Sequence, residues 1–325
     1  MKRKKIFLFV VFLFLLENCY PEFISETRIA LGTFFQIKIE KKNNSSEIIN
    51  QAFKKVDELE DKLSVFREGS DVYKINKYKK ATVSPETIEV IKRSFEISRI
   101  TEGAFDITCK PLINLYKKCG KEKRLPSKKE IKETLKEINW KDVKITGNEV
   151  VLKRGMEIDL GGIAKGYIVD KIVEFLKMKG IKNGLVNAGG DIYCWGKNPE
   201  GKRWKIGIRN PFYKDRIIGK ISLTEKGIAT SGDYEQYIKI KGKKFSHIVN
   251  PKTGKTVQNF PVSLTVIAPD CTTADGLATG FFVSGIKKAV EIANKIKEVE
   301  VLIVDENKKV YKSKNFPLSD NFIFP

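Results

Sequence analysis

Between Asn183 and Pro269 the sequence carries strand patterns and no helical one, while helical patterns stand on either side, at Ile163–Gly180 and Thr272–Ile296. The N-terminal half mixes the two periods differently. Thr27–Glu40 alternates apolar and polar residues, which predicts a strand. Ser45–Phe66 opens on a serine cap signal and sets Ile48, Ile49, Ala52, Phe53, Val56, Leu59 and Leu63 at helical spacing. Ser84–Gly103 predicts a second helix, with Ser84 as cap, Pro85 at its first position and Gly103 beyond its end. Pro126–Ile138 predicts a third helix, Val143–Gly162 a hairpin turning at Gly147-Asn148, and Glu298–Ser313 a terminal hairpin. Helices and strands interleave without a βαβα period, and no repeat or low-complexity linker divides the chain. This predicts a single α+β domain, its mixed or antiparallel sheets flanked by helices. With 41% hydrophobic residues, a chain of 325 residues can bury a real core, which argues against disorder.

The first 18 residues stand outside this pattern. Met1–Lys5 is basic, and Ile6–Leu16 is an apolar run too short to span a membrane and suited to a secretory signal. Cys19 follows, as in a bacterial lipoprotein signal that is cut before a cysteine whose thiol takes a lipid. Leu16 fits that pattern; Glu17 and Asn18 fit it poorly. Ordinary secretion and an uncleaved anchor are the other readings. Each places the folded part, residues 19–325, outside the cytoplasm, and the lipoprotein reading ties it to the cell membrane, facing the periplasm or cell exterior. Cys109, Cys119, Cys194 and Cys271 form no C-x-x-C pair, which argues against zinc or thioredoxin-like chemistry. A Cys109–Cys119 bridge and buried free thiols both stay open. The net charge of +21 comes from lysines scattered in pairs such as Lys41-Lys42 and Lys243-Lys244, without interleaved aromatics. That predicts a solvated basic surface and no nucleic-acid partner.

Several stretches carry potential chemistry. A strand is predicted to end at Asp159; Gly161 and Gly162 follow, and a helix begins. Glycines there let a ligand approach the backbone, the helix N-terminus suits phosphate, and Lys165 in its first turn adds a point charge. A lone Gly-Gly at such a junction is more often plain turn chemistry, and the spacing is neither a dinucleotide fingerprint nor a Walker loop. Asp275 and Thr279 lie four apart, on one helical face, as hard oxygen donors suited to Mg²⁺ with substrate phosphate. Taken alone, Thr273 or Asp275 capping a helix is the simpler reading. Phe105-Asp106 follows a helix end, Gly189-Gly190-Asp191 sits at a strand, and His247, the sole histidine, precedes a Pro-x-Thr-Gly turn.

In their order these stretches resemble the ApbE family, the FAD:protein FMN transferases. The similarity runs through LGTFFQI (from Leu31), LSVFREGSDVYKIN (from Leu63), GAFDIT…PL (from Gly103), DLGGIAKGYIVDKI (from Asp159), GLVNAGGDIY (from Gly184), WKIGIRNP (from Trp204), IATSGDYEQY (from Ile228), SHIVNPKTG (from Ser246) and ADGLATGFFVSG (from Ala274). It covers about Ile29 to Gly285. The resemblance implies that a Thr or Ser hydroxyl of an acceptor flavoprotein attacks the FMN-side phosphorus of FAD, and AMP leaves. Such a transfer rests mostly on positioning and charge neutralisation, with Mg²⁺ at the pyrophosphate. It implies Mg²⁺ held by Asp275, Thr279 and a backbone carbonyl near Gly162. It implies FAD contacts at Leu31, Phe66, Ala104, Phe105, Asp106, Asp159, Lys165 and Ile248. Leu31 replaces the usual Met, Phe66 a frequent Tyr or Trp, and Ala278 stands where some members carry a second Asp.

The resemblance puts His247 and Asp275 at the reaction. His247 either takes the proton from the attacking hydroxyl or holds the ligand while an Asp acts as base. Two other activities fit the same residues: an FAD pyrophosphatase yielding FMN and AMP, and a flavin-binding lipoprotein without turnover. Retention of Asp275, Thr279 and the glycine loop favours an enzyme, since flavin storage needs no metal.

Overall fold

The computed structural model describes residues 21–213, 215–232, 237–240, 243–246, 248–257 and 262–318, with 237–240 and 243–246 described by backbone pairing. The segment 1–18 expected to be a signal, Cys19 and His247 lie outside the described residues.

The described chain begins as a hairpin. β1 (Phe23–Ala30) pairs antiparallel with β2 (Thr33–Glu40), from Phe23↔Glu40 to Ala30↔Thr33. The single strand expected over Thr27–Glu40 is therefore two. Leu31 and Gly32 both take positive φ, 55° and 70°, the two-residue turn whose twist suits a hairpin. Leu-Gly lacks the Asn or Asp that usually marks this turn, so periodicity reads straight through it.

Next come α1 (Ser45–Leu63), α2 (Asp71–Tyr78), β3 (Lys80–Thr82) and α3 (Pro85–Ile100). The caps follow the chemistry of the sequence. Ser84 Oγ accepts from Thr87 N at 3.4 Å, with Pro85 as the first residue of α3. Then follow α4 (Lys110–Lys121), α5 (Lys128–Leu135, capped by a Ser127/Glu130 box) and the hairpin β4 (Lys144–Thr146)–β5 (Glu149–Val151). α6 (Ala164–Met178) leads into β6 (Gly184–Ala188), β7 (Asp191–Trp195), β8 (Trp204–Arg209), β9 (Ile217–Leu223), β10 (Lys226–Gly232), β11 (Tyr237–Ile240), β12 (Lys243–Ser246) and β13 (Ser263–Ala268). α7 (Cys271–Ser284), α8 (Ile286–Ala293), β14 (Glu300–Val304) and β15 (Val310–Lys312) complete it, with Gly285 (φ 82°) parting the two helices. Cys109, Cys119, Cys194 and Cys271 are free thiols.

The main sheet runs β1-β2-β6-β7-β10-β13-β14-β15, antiparallel throughout. α1, α3, α6 and α7 bury their apolar faces against one side of it. The β8–β9 hairpin covers the other side through Trp204, Ile206, Ile218 and Ile221. β13 is buried on both faces along its whole length. Leu264, Val266 and Ala268 enter the helix-side core while Ile267 enters the other. The molecule is a single α+β domain, as expected from the interleaved periods.

α6 and α7 cross at one glycine. A Cβ on Gly166 would sit 2.3 Å from the Cys271 carbonyl oxygen and 2.8 Å from Asp275 Cβ. The N-terminus of α7 is capped from both sides. Asp270, rather than Thr273 or Asp275, is its cap: its Oδ1 accepts from Thr273 N at 2.7 Å and pairs with Arg93 at 2.9 Å. From α6, Asp170 accepts from Cys271 N at 2.9 Å and Thr272 N at 2.7 Å. Burial and the nearby Asp270 carboxylate push Asp170 up to about 7, against the lowering effect of those bonds.

An unfolded aspartate titrates near ~3.9. Between that value and about 7 the folded chain keeps a proton that the unfolded chain has lost. The stabilisation linked to Asp170 is therefore full below the unfolded value and is lost as the pH rises through the folded one. In thermal melts, the stability gap between wild type and Asp170→Asn should be widest in acid and narrow as the pH approaches neutrality. A gap that widens instead would show that the helix donors hold Asp170 as a carboxylate.

Candidate functional site

The approach to α6 is extended without being a strand. Ile158 exchanges two hydrogen bonds with the Asn76 side chain of α2, at 2.7 and 2.8 Å, and Asp159 N donates to Ile107 O at 2.8 Å. The strand expected to end at Asp159 is thus a segment held by a side chain, a difference that apolar patterning cannot register. Asp159 Oδ1 then accepts from Gly161 N at 2.8 Å and closes the turn into α6.

At that turn the structure brings Gly162, Asp275 and Thr279 together. A Cβ on Gly162 would lie 3.2 Å from Phe105 Cε2, Thr279 Cγ2 and Thr279 Oγ1. With no side chain there, Thr279 Oγ1 comes within 3.5 Å of the Gly162 carbonyl oxygen. Asp275, one turn earlier on the same face of α7, is buried, and its Oδ2 accepts from Gly166 N at 3.0 Å. Among the described residues no three His, Cys, Asp or Glu side chains group to hold a metal. The donors here are one carboxylate, one hydroxyl and one carbonyl, a set suited to a hard cation that keeps water and phosphate ligands.

Lys165 does more than the sequence implied. Its Nζ lies 2.6 Å from Asp191 Oδ2 and 3.7 Å from Asp275 Oδ2, and both carboxylates are nearly inaccessible. Asp191 was not singled out from the sequence as a site residue; its signal was the Gly-Gly-Asp of the GLVNAGGDIY stretch. One ammonium here faces two buried carboxylates.

Ala104 and Phe105 are buried. Phe105 N donates to Thr101 Oγ1 at 3.0 Å, and its ring packs beneath Gly162. The Asp106 carboxylate accepts from Thr108 N at 2.8 Å, Thr108 Oγ1 at 2.6 Å and Trp140 N at 3.1 Å. Burial raises its pKa despite these bonds. Beside it opens a cavity of about 500 Å³, lined in part by Arg99, Gly103, Asp106, Trp140 and Lys252. Ile248 is half-buried against the main core.

Leu31 and Phe66 form a second group, on two loops joined by a residue the sequence reading missed. Glu60 Oε2 accepts from Leu31 N at 3.3 Å and pairs with Arg67 at 2.9 Å. Left-handed φ is uncommon for leucine, and such strain gathers at functional positions. The Phe66 ring is 82% exposed, an unusual state for phenylalanine. Lys117, from the helix that follows the Ala104–Asp106 turn, places its Nζ 5.8 Å from that ring. Helical spacing marks Glu60 only as a polar position of α1; its role follows from where two loops return. If Leu31 and Phe66 contact FAD as the resemblance implies, Glu60→Ala should release both loops and raise the KM for FAD about tenfold with kcat little changed. Steady-state kinetics check this, and an unchanged KM would contradict it.

The ApbE family matches residues 31–303. A FAD:protein FMN transferase of Vibrio cholerae is 34% identical over 304 residues, spanning 88% of this chain and 89% of its own length. That of Haemophilus influenzae is 36% identical over 258 residues, spanning 75% and 74%. Among solved structures, the flavin transferase ApbE of Vibrio cholerae has a TM-score of 0.80 at 30% identity, covering 91% of this chain and 98% of that one. The ApbE protein of Thermotoga maritima has a TM-score of 0.83 at 34% identity, covering 91% and 98%. Similarity along most of both lengths, in sequence and in fold, settles the relationship: the chain belongs to the ApbE family.

Proposed function

We propose that the protein is a Mg²⁺-dependent FAD:protein FMN transferase, moving FMN from FAD to a Thr or Ser hydroxyl of an acceptor flavoprotein and releasing AMP. One observation carries this reading beyond family membership: the oxygen cluster of Asp275, Thr279 and Gly162 beside Lys165 at the start of α6. Asp275, Thr279 and the Gly162 carbonyl would hold Mg²⁺, which would supply charge neutralisation for the phosphates of FAD. The backbone around Gly161 and Gly162 leaves room for the phosphates, and the α6 N-terminus favours their charge. Lys165 pairs with the Asp191 and Asp275 carboxylates, and a third of its side chain is exposed. Leu31 and Phe66 flank the flavin, and the turn at Ala104–Asp106 with Asp159 and Ile248 completes its seat. Phe66 offers stacking without a hydroxyl. His247 takes the proton of the attacking hydroxyl or shapes the pocket around it.

In the same reading residues 1–18 are an export signal and Cys19 carries a lipid. The catalytic domain, residues 19–325, then works at the outer face of the cell membrane.

The test is incubation of protein, FAD and Mg²⁺ with and without an acceptor domain, followed by in-gel flavin fluorescence and AMP release. AMP matched to covalent flavin on the acceptor is the expected result; rapid AMP release without acceptor would make the protein an FAD pyrophosphatase. Asp275→Ala should cut labelling at least about a hundredfold. Full labelling by that variant would sink the metal assignment.

A further inference from the structure

We propose that the corner where the chain joins the fold docks on anionic phospholipid headgroups, and that the length of β1 bounds the height of the flavin site above them. The proposal rests on the reading of Ile6–Cys19 as a membrane tether. Cys19 is four residues before Phe23, so the chain can separate a lipid on Cys19 from the start of β1 by at most about 14 Å. Whatever surrounds the start of β1 therefore lies against the membrane.

That surroundings can be traced contact by contact. Phe23 pairs with Glu40, and Lys41 N donates to Glu22 O at 2.6 Å. The Glu40 carboxylate is buried and accepts from Lys182 N at 2.6 Å, while Lys42 Nζ donates to the Gly180 carbonyl. Lys197 N donates to Asn183 Oδ1 at 2.7 Å, in the same corner. The Trp204 ring, preceded by Arg203, stands edge-on to Phe23 at 5.7 Å. Lys179, Lys182, Lys197 and Arg203 are exposed and make no ion pair among the described residues. Met178, adjoining Lys179, is 77% exposed.

Lysines occur over the whole surface, but here unpaired cations and an exposed apolar side chain surround the base of an apolar tether. Basic side chains beside an anchor are drawn to an anionic leaflet, and an apolar side chain among them enters the headgroup layer. The flavin group sits at the opposite end of the same strand. β1 spans eight residues, and at the rise of an antiparallel strand it carries the chain about 24 Å from Phe23 to Ala30, just before Leu31. The Leu31 end therefore lies at most about 24 Å farther from the bilayer than Phe23, which bounds the height at which an acceptor presents its hydroxyl.

The full-length lipidated protein is reconstituted on phosphatidylcholine vesicles with and without phosphatidylglycerol, isolated by flotation, and labelled with a membrane-impermeant amine reagent. Mass spectrometry reads each lysine. Lys179, Lys182 and Lys197 should react about fivefold more slowly on the anionic vesicles, while Lys141 and Lys252, beside the Asp106 cavity, react alike on both. High salt should erase the difference. Floated protein with equal rates on both vesicles overturns the docking surface and leaves the tether standing. Protection that needs an added acceptor protein overturns it in favour of a protein interface. Protein that fails to float overturns the tether and the proposal together.

Discussion

Two helices come as close as they do at Gly166 because that residue has no side chain. The Cys271 carbonyl occupies the place where any Cβ would stand, and the freed amide of Gly166 binds the Asp275 carboxylate. From this contact the rest of the site follows by helical geometry. One turn beyond Asp275 along α7, Thr279 faces the Gly162 carbonyl just before α6. In the other direction Asp170 of α6 reaches the first amides of α7. A second bare position, Gly162, then admits Thr279 and the Phe105 ring together.

The same contact sets the electrostatics. Bringing Asp275 into the core beside Asp191 creates two buried carboxylates with a single ammonium between them. Buried charges are costly unless paired, and Lys165 lies within ion-pair distance of both carboxylates.

Much of this is legible in the sequence, for identifiable reasons. Asp275 and Thr279 are related by helix periodicity alone, and caps such as Ser84 follow local chemistry. The limits are also physical. The turn at Leu31-Gly32 was hidden because leucine takes a conformation normally left to Gly or Asn. The segment before Asp159 reads as a strand because Asn76 supplies the bonds that a neighbouring strand would. Glu60 gains its role from a contact with Leu31 across 29 residues of sequence, which no local pattern encodes; Asp191 has a local Gly-Gly-Asp signal, but only the fold pairs it with Lys165. The cap of α7 fell to Asp270, two positions before the first expected residue of that helix.

If the close approach at Gly166 builds the site, adding one methyl group there should dismantle it while leaving the sheet intact. The direct measurement is Mg²⁺-dependent FAD affinity of Gly166→Ala, by flavin fluorescence, in protein whose circular dichroism matches wild type. Forcing a methyl group into that contact should weaken binding roughly tenfold to a hundredfold. Wild-type affinity in the folded variant would mean that the site does not depend on this helix contact.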